Sequence, residues 1–360
     1  MLDATDPQAG TLLATPRTLF TAIAVALGSV VLLTVALIAM FPADLPIEEI
    51  QRILANTNPA GLVTGLVVMT LGMAFVAIRW RTLMPAAKDV STPSLTGIVC
   101  AGLMLNYALP GPVGELGAAM LVKHRHGIPA TTALAASVHA RMIGLSLAGI
   151  LAALTYLFAD LPIPAEHHDT VAIATVCIAV GATGLGLLSA FPGWIRTGSD
   201  LTLGFLAKRL PLRLGQAAQR THETVLDLAN ALAQTGRLGI KRYLAAGLWA
   251  LAAHASVTTG IWVSCLAMGF DPYLPGVLFT YCAATAAVVA LIAFPGSQVG
   301  WDALFLTFLM ATTELKLVEG LSVVGLVRIQ QVLLLVLGAA SLGFGSQPQG
   351  EKPKPKDTNA

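Results

Sequence analysis

Two acid–arginine sets with equal spacing are the residues of this sequence best suited to chemistry. Arg141 follows Glu115 by 26 residues, and Arg328 follows Asp302 by the same interval (141 − 115 and 328 − 302). All four lie in or beside apolar segments, where a central arginine costs about 2.5–3.5 kcal/mol even on the lenient insertion scale. The planar guanidinium suits a carboxylate or a phosphate. Two roles are open for each arginine: binding an anionic substrate, or fixing its half of the protein to the acid.

The residues before each acid predict a break in a helix. Pro110-Gly111 precedes Glu115, and Pro295-Gly296 precedes Asp302. Each acid then falls near the start of a new helix, where a carboxylate can cap amides and complement the helix dipole. The same helix starts would also form an anion site through exposed backbone N–H groups. The further residues predicted to bind there are Asn106, Gly111, Gly114, Ser297 and Gly300.

The composition places these residues in a membrane protein. Of the 360 residues, 56% are hydrophobic and 11% are charged, whereas a soluble domain carries about 25% charged residues. Lipid must therefore surround much of the chain. Seven long apolar runs approach or exceed the length that crosses a hydrocarbon core of about 30 Å. They are 18–41, 61–79, 131–157, 171–190, 243–268, 275–294 and 320–343. The run 275–294 belongs to a predicted re-entrant hairpin, which leaves six full spans.

The distribution of lysine and arginine predicts the topology, because basic loops mark the cytoplasmic side. The strongest basic loops are 79–88 (with Arg79), 123–125 and 191–242, together with the Lys-rich end of the chain. The loops poor in lysine and arginine are 42–60, 158–170, 269–274 and 314–319. We therefore expect both termini to be cytoplasmic, in a bacterial-type inner (plasma) membrane.

This topology requires two re-entrant helical hairpins. Segment 96–122 must enter from the cytoplasm and return to it, and segment 275–313 must do the same from outside. Paired segments interrupted by Gly and Pro, at matching positions in two halves, are typical of inverted-repeat transporters. Broken helices at membrane depth require surrounding protein or a water-filled cavity, so we expect the hairpins to face each other.

The predicted fold is an all-α polytopic membrane bundle of about six full spans and two re-entrant hairpins, arranged as an inverted repeat. Its halves are 18–190 and 243–343, joined by an amphipathic cytoplasmic connector, 191–242. A cytoplasmic N-terminal segment, 1–17, and a disordered cytoplasmic tail, 344–360, complete it. On the connector, Val225, Leu228 and Leu232 share one helical face, which either contacts anionic head groups or belongs to a solvated link.

Other polar residues carry weaker signals. The cysteines (Cys100, Cys177, Cys265, Cys282) lack metal spacing and are interpreted as packing residues. His139 and His254 are interpreted as packed polar residues. No nucleotide or hydrolase motif is present, so we expect no cofactor and no metal. The net charge of +2 is too small to indicate nucleic acid. Gly61 and Gly65 can bring two helices close, either within one bundle or between protomers of a homo-oligomer.

Two patches around the breaks carry a family resemblance. They are the run 106–115 (NYALPGPVGE) followed by Ala135, Ser137, Arg141 and Gly144, and the later Pro295, Gly296, Ser297, Gly300 and Arg328. They resemble the transmembrane region of lysylphosphatidylglycerol synthases, a family that also contains stand-alone flippase-like membrane proteins. The resemblance covers roughly residues 15–343. Pro112 departs from the usual Arg, and Val299, Trp301 and Asp302 replace the usual Gly-Gly…Glu.

The resemblance implies a protein that moves a lipid and does not synthesise one, because the soluble aminoacyl-transferase domain of the fused synthases is absent from this sequence. Our leading hypothesis is a lipid translocase, not an enzyme, whose partner is a membrane lipid with an anionic head group. One alternative is an integral-membrane hydrolase of polyprenyl or lipid phosphates, with Ser297 beside Arg328. The other is a membrane scaffold that transports nothing.

Overall fold

The computed structural model of the protein describes residues 47–108, 113–189, 191, 193–205, 212–291 and 297–344. Within these ranges the chain forms twelve α-helices and no strand, which confirms the all-α prediction. The helices are α1 Ile47–Asn56, α2 Pro59–Thr82, α3 Thr92–Ala108, α4 Val113–His126, α5 Ala130–Phe158, α6 His168–Ser189, α7 Gly193–Ser199, α8 Leu212–Gly236, α9 Ile240–Ala267, α10 Leu274–Leu291, α11 Ser297–Thr313 and α12 Leu317–Phe344.

Five of the described helices, α2, α5, α6, α9 and α12, are long and apolar enough to cross a membrane. They correspond to five of the six predicted spans. The sixth, 18–41, lies outside the described residues, as do segment 1–17 and almost all of the predicted tail. The outer faces of the five helices expose large apolar side chains, which is the surface that a lipid-facing helix requires. Examples are Val67, Leu154, Val180, Leu248 and Val336.

The most extensive helix–helix packing in the described part of the chain joins α2 and α9, which run antiparallel. The amide of Asn58, before α2, donates to the carbonyl of Ala267 at the end of α9 (2.8 Å). A methyl group at Gly61 would crowd Ala267, and one at Gly65 would collide with Ser264. Small residues thus let the two backbones approach closely. The Gly61/Gly65 pattern therefore serves contact within one chain.

The first hairpin is formed by α3 and α4. Ser94 and His126 share a hydrogen bond at its open end (Oγ–Nε2 3.1 Å), while Gly102 and Gly114 pack tightly near its tip. With 17 and 14 residues, the two helices are about 26 Å and 21 Å long, shorter than the hydrocarbon core. The chain therefore leaves and returns at one end of the bundle, as predicted, although the break at Pro110-Gly111 lies outside the described residues.

The second hairpin, α10 and α11, has the same form and opens at the opposite end. Gly276 lies against Thr312, whose hydroxyl also contacts that of Thr280 (3.1 Å). Phe279 and Phe308 meet edge to face, with ring centroids 5.6 Å apart. The break at Pro295-Gly296 again lies outside the described residues.

Each hairpin packs antiparallel against a long helix of the other half. The first lies along α12, where Ser341 Oγ donates to the carbonyl of Gly97 (2.9 Å) and Arg125 donates to the carbonyl of Ser341 (2.8 Å). The second lies along α5, where Tyr156 contacts Phe279 (ring centroids 6.3 Å apart). This reciprocal packing of each hairpin on the other half is the arrangement expected of an inverted repeat.

The loops group at two ends of the bundle as the charge pattern predicts. Apolar side chains from 83–90, 128, 238 and 342 share one cluster with the open end of the first hairpin. At the other end, Ile53, Met268, Phe270 and Leu315 share a second cluster. The basic loops thus lie together, and the described part of loop 42–60 and loops 269–274 and 314–319 lie together at the opposite end, while loop 158–170 packs in a neighbouring cluster through Leu161 and Ile163.

The connector has the amphipathic helix that the sequence predicts, but its apolar face packs on protein. Leu232 of α8 is 2% exposed and, with Leu228, packs against Ala135 and Val138 of α5. The preceding α7 and its one-turn π-helical continuation, Asp200–Gly204, leave apolar side chains exposed instead. These are Trp194, Leu201 and Phe205.

Candidate functional site

The first acid–arginine set forms an ion pair. Glu115 lies in the first turn of α4, and Arg141 lies about 17 Å along α5, near the middle of that helix. The tight turn between α4 and α5 sets these helices side by side, so the two side chains meet. The side chains are 13% and 29% exposed, respectively. Water or a ligand can therefore reach this pair, which also holds α4 against α5.

Asn106 positions the acid of this pair. Its side-chain amide donates to Glu115 Oε2 (3.2 Å), and its Oδ1 accepts the backbone N–H of Gly114 (2.6 Å). A side chain at Gly114 would collide with the carbonyl of Gly102. The amide predicted to bind an anion at this helix start is thus already satisfied, and an anion would have to displace Asn106.

The second set forms a more deeply buried ion pair. Asp302 lies near the start of α11 and Arg328 in α12, and their side chains are 0% and 8% exposed. Arg328 Nη1 also donates to Gln331 Oε1 (2.6 Å). Among the described residues, Asp302 Oδ1 has no hydrogen-bond partner. This geometry suits a contact that fixes α12 to the second hairpin.

The other predicted residues are less informative. Gly300 lies in the first turn of α11. Ser297 begins that helix, but its side chain lies outside the description, and Gly111 lies outside the described residues altogether. The hydrolase alternative required Ser297 with Arg328, and that arginine is already paired with Asp302.

A cavity of about 160 Å³ lies between α2, α5, α9 and α10. The polar residues that line it are Arg79, Arg141, His254, Tyr281 and Thr285. Gly144, the middle residue of α5, is among its lining residues. The cavity therefore lies at mid-height of a membrane-spanning helix and draws its walls from both halves of the chain.

Arg79 is the functional candidate that sequence reasoning missed. It was assigned to the basic loop 79–88, and that assignment is wrong: Arg79 lies inside α2 and is 8% exposed. Its neighbours point elsewhere, since Trp80 Nε1 donates to the carbonyl of Ala133 (2.9 Å) and Arg81 Nη1 to that of Val90 (3.1 Å). Helical spacing could have revealed it. Residues two positions apart in a helix, such as Arg79 and Arg81, point to different sides, so the two arginines need not share one environment.

The guanidinium of Arg79 is unpaired within the described part of the chain. No ion pair or side-chain hydrogen bond of Arg79 occurs there, and its Nε is buried without a partner. The group lies against Gly144, where an added methyl would collide with Nη1. A buried cation without a counter-charge is expensive, so a ligand or water should occupy the space beside it.

His254 closes another side of the cavity. Because a carbonyl only accepts, Nε2–H must donate to the carbonyl of Gly144 (2.9 Å). In the neutral ring, Nδ1 is then an acceptor, and within the described residues it has no partner. The imidazole packs 5.8 Å from the ring of Tyr281. His254 is thus packed against other residues, as predicted from the sequence, but that prediction did not include its place beside the cavity.

His139 and the cysteines lie away from this cavity. His139 donates from Nδ1 to the carbonyl of Ala135 (3.1 Å) and packs edge-on against Tyr243. Three cysteines are buried as predicted, whereas Cys177 is exposed on α6, so the packing interpretation is wrong for that residue.

Fold and site together define an integral membrane protein with charged side chains held at membrane depth. The model of the family described as "Lysylphosphatidylglycerol synthase TM region" matches residues 19–339, and the chain belongs to this family. This confirms the resemblance carried by the two sequence patches. No curated protein and no solved structure shows a significant match to the chain.

Proposed function

We propose that the protein translocates a lipid with an anionic head group between the two leaflets of the membrane. The observation that carries this proposal is the cavity, which is lined by Arg79 and Arg141 together with Gly144, the middle residue of α5. A charged head cannot readily cross about 30 Å of hydrocarbon unaided. A translocase therefore needs a polar path for the head while the tails stay in lipid.

The two acid–arginine pairs supply a mechanism for alternating access. Glu115–Arg141 is partly open and borders the cavity, whereas Asp302–Arg328 is closed. In an inverted repeat, the two halves can exchange conformations about a fixed central site. We infer that the opposite conformation opens the second pair and closes the first, so that the head group passes from one half-site to the other.

The orientation follows from the loops. The end of the bundle that gathers 83–90, 128 and 238 faces the cytoplasm, because it contains the basic loops. The first hairpin then opens toward the cytoplasm and the second toward the outside. Both termini would be cytoplasmic, in a bacterial-type inner membrane.

Liposomes containing purified protein test the proposal. A fluorescent anionic lipid is added to both leaflets, and a membrane-impermeant quencher reports the fraction in the outer leaflet over time. Wild-type protein should raise the accessible fraction, and Arg141→Ala should abolish that rise. Arg242→Ala is the matched control, because Arg242 is exposed at the start of α9. No movement of any lipid in a broad panel of head groups would contradict the translocase function.

A further inference from the structure

The guanidinium of Arg79, which has no partner among the described residues, identifies a binding site in the cavity that the Glu115–Arg141 pair only borders. We propose that the cavity between α2, α5, α9 and α10 binds a singly charged oxyanion, with Arg79 as its principal cation. That the oxyanion belongs to a transported lipid rests on the proposed function. The binding site itself can be tested without any transport.

The charges around the cavity determine the class of ligand. Arg79 and Arg141 are the two cations among its lining residues, and Glu115 offsets Arg141. With His254 neutral, one positive charge is left over. A monoanion balances it, whereas a phosphomonoester, with about −1.5 to −2 at pH 7, leaves excess negative charge in a poorly solvated site. The site therefore favours a phosphodiester or carboxylate over a phosphomonoester.

The hydrogen-bonding groups fit an oxyanion with more than one oxygen. The fork of Arg79 presents parallel N–H donors, which match two oxygens of one ligand. Tyr281 and Thr285, which both carry hydroxyl groups, also line the cavity. Nδ1 of His254 offers one acceptor, which suits a neighbouring O–H or N–H of the head group.

The space is adequate for such a group. At about 160 Å³, the cavity exceeds the roughly 30 Å³ that one water occupies in the liquid several times over. Apolar side chains, among them Met73, Val76 and Val257, also line it. The cavity therefore offers charged and apolar contacts together, which is what an amphiphile requires.

Binding of short-chain lipids to the purified protein in detergent tests the site. Isothermal titration is carried out with dihexanoyl phosphatidylglycerol (a monoanionic phosphodiester), dihexanoyl phosphatidic acid (a phosphomonoester) and dimethyl phosphate (the anion without tails). We expect the phosphodiester lipid to bind at least tenfold more tightly than the phosphomonoester. Dimethyl phosphate should bind measurably but more weakly; if it binds equally well, the site takes a free anion and not a lipid.

Two variants isolate Arg79. Arg79→Met should weaken phosphodiester binding at least tenfold, while leaving the melting temperature of the ligand-free protein unchanged or higher, because an unpaired buried cation is removed. Gly144→Ala keeps the arginine but displaces its guanidinium, and should weaken binding as well. Gly181→Ala is its matched control, since a methyl there meets open space.

The outcomes separate this inference from the proposed function. Full phosphodiester binding by both Arg79→Met and Gly144→Ala would overturn the site, even if liposomes show translocation. Equal affinity for the phosphomonoester would overturn the charge argument. A lower melting temperature of ligand-free Arg79→Met, with binding unchanged, would assign the arginine a structural role. Binding lost in both variants, without translocation by wild type, would retain the site and remove the translocase function.

Discussion

The buried Asp302–Arg328 pair allows a quantitative prediction about folding. Replacing Arg328 by Leu leaves Asp302 as an uncompensated charge in a site with side-chain exposures of 0% and 8%. Breaking such a pair by removing one partner destabilises by about 3–5 kcal/mol. Gln331 also loses a hydrogen bond to a charged group, which adds to the loss. We expect Arg328→Leu to lose about 3–5 kcal/mol of unfolding free energy.

The double variant Asp302→Leu/Arg328→Leu should recover most of that loss. Replacing a buried ion pair by apolar residues of similar volume is often neutral or stabilising. The same cycle at Glu115 and Arg141 should give a smaller coupling energy, because those side chains are 13% and 29% exposed and solvent screens them. The contrast between the two cycles measures the asymmetry between the half-sites.

The assay is reversible unfolding in mixed micelles with increasing dodecyl sulfate, followed by tryptophan fluorescence. Arg242→Leu serves as the exposed control and should change the unfolding free energy by less than about 0.5 kcal/mol. If Arg328→Leu behaves like this control, the buried-pair reasoning is refuted. If the double variant is as unstable as the single one, the loss comes from packing and not from the stranded charge.

Three further predictions concern packing, topology and the membrane surface. Gly65→Ala should destabilise by about 1–3 kcal/mol through overpacking against α9, whereas Gly181→Ala should not; equal effects in the same unfolding assay would refute the close approach. In a Cys177→Ser background, single cysteines are introduced at Lys88, Lys123, Glu166 and Glu314. An impermeant maleimide should label the first two from one side of the membrane and the last two from the other. Labelling of positions 88 and 123 from opposite sides would contradict the first hairpin. In a variant whose other tryptophans are replaced by Phe, brominated lipids should quench the fluorescence of Trp194, because its side chain is 73% exposed beside a spanning helix. Quenching by aqueous iodide alone would show that α7 lies in water.

The elements that could be predicted from the sequence are those with a local signature. Spans follow from apolar length, and the hairpins follow from Pro-Gly breaks combined with loop charge. The partners of Arg141 and Arg328 followed from equal spacing, because a hairpin that returns to one end sets its second helix beside the next span. The ion pairs could be predicted for that reason, but their unequal exposure could not.

The cavity was not predictable because packing between the halves creates it. Its walls come from α2 and α5 on one side and α9 and α10 on the other, helices that are far apart in sequence. The burial of Arg79 was not predicted because the basic-loop rule assigns an arginine at the end of an apolar run to a cytoplasmic loop. Asn106 was predicted to hydrogen-bond an anion, yet it binds Glu115 and the amide of Gly114, a contact that depends on the side-by-side packing of α3 and α4.

Arg328, Arg141 and Arg79 differ in how their positive charge is compensated. Asp302 and Arg328 balance each other's charge, and Gln331 accepts a further hydrogen bond from the arginine. Glu115 and Arg141 also satisfy each other, but water or a ligand can reach them. Arg79 alone is buried with no counter-charge among the described residues. A buried cation without a counter-charge is costly, so under the proposed site an anion at Arg79 would gain the most binding free energy. A head group entering beside Arg141 would therefore be drawn toward Arg79, at mid-height of the bundle.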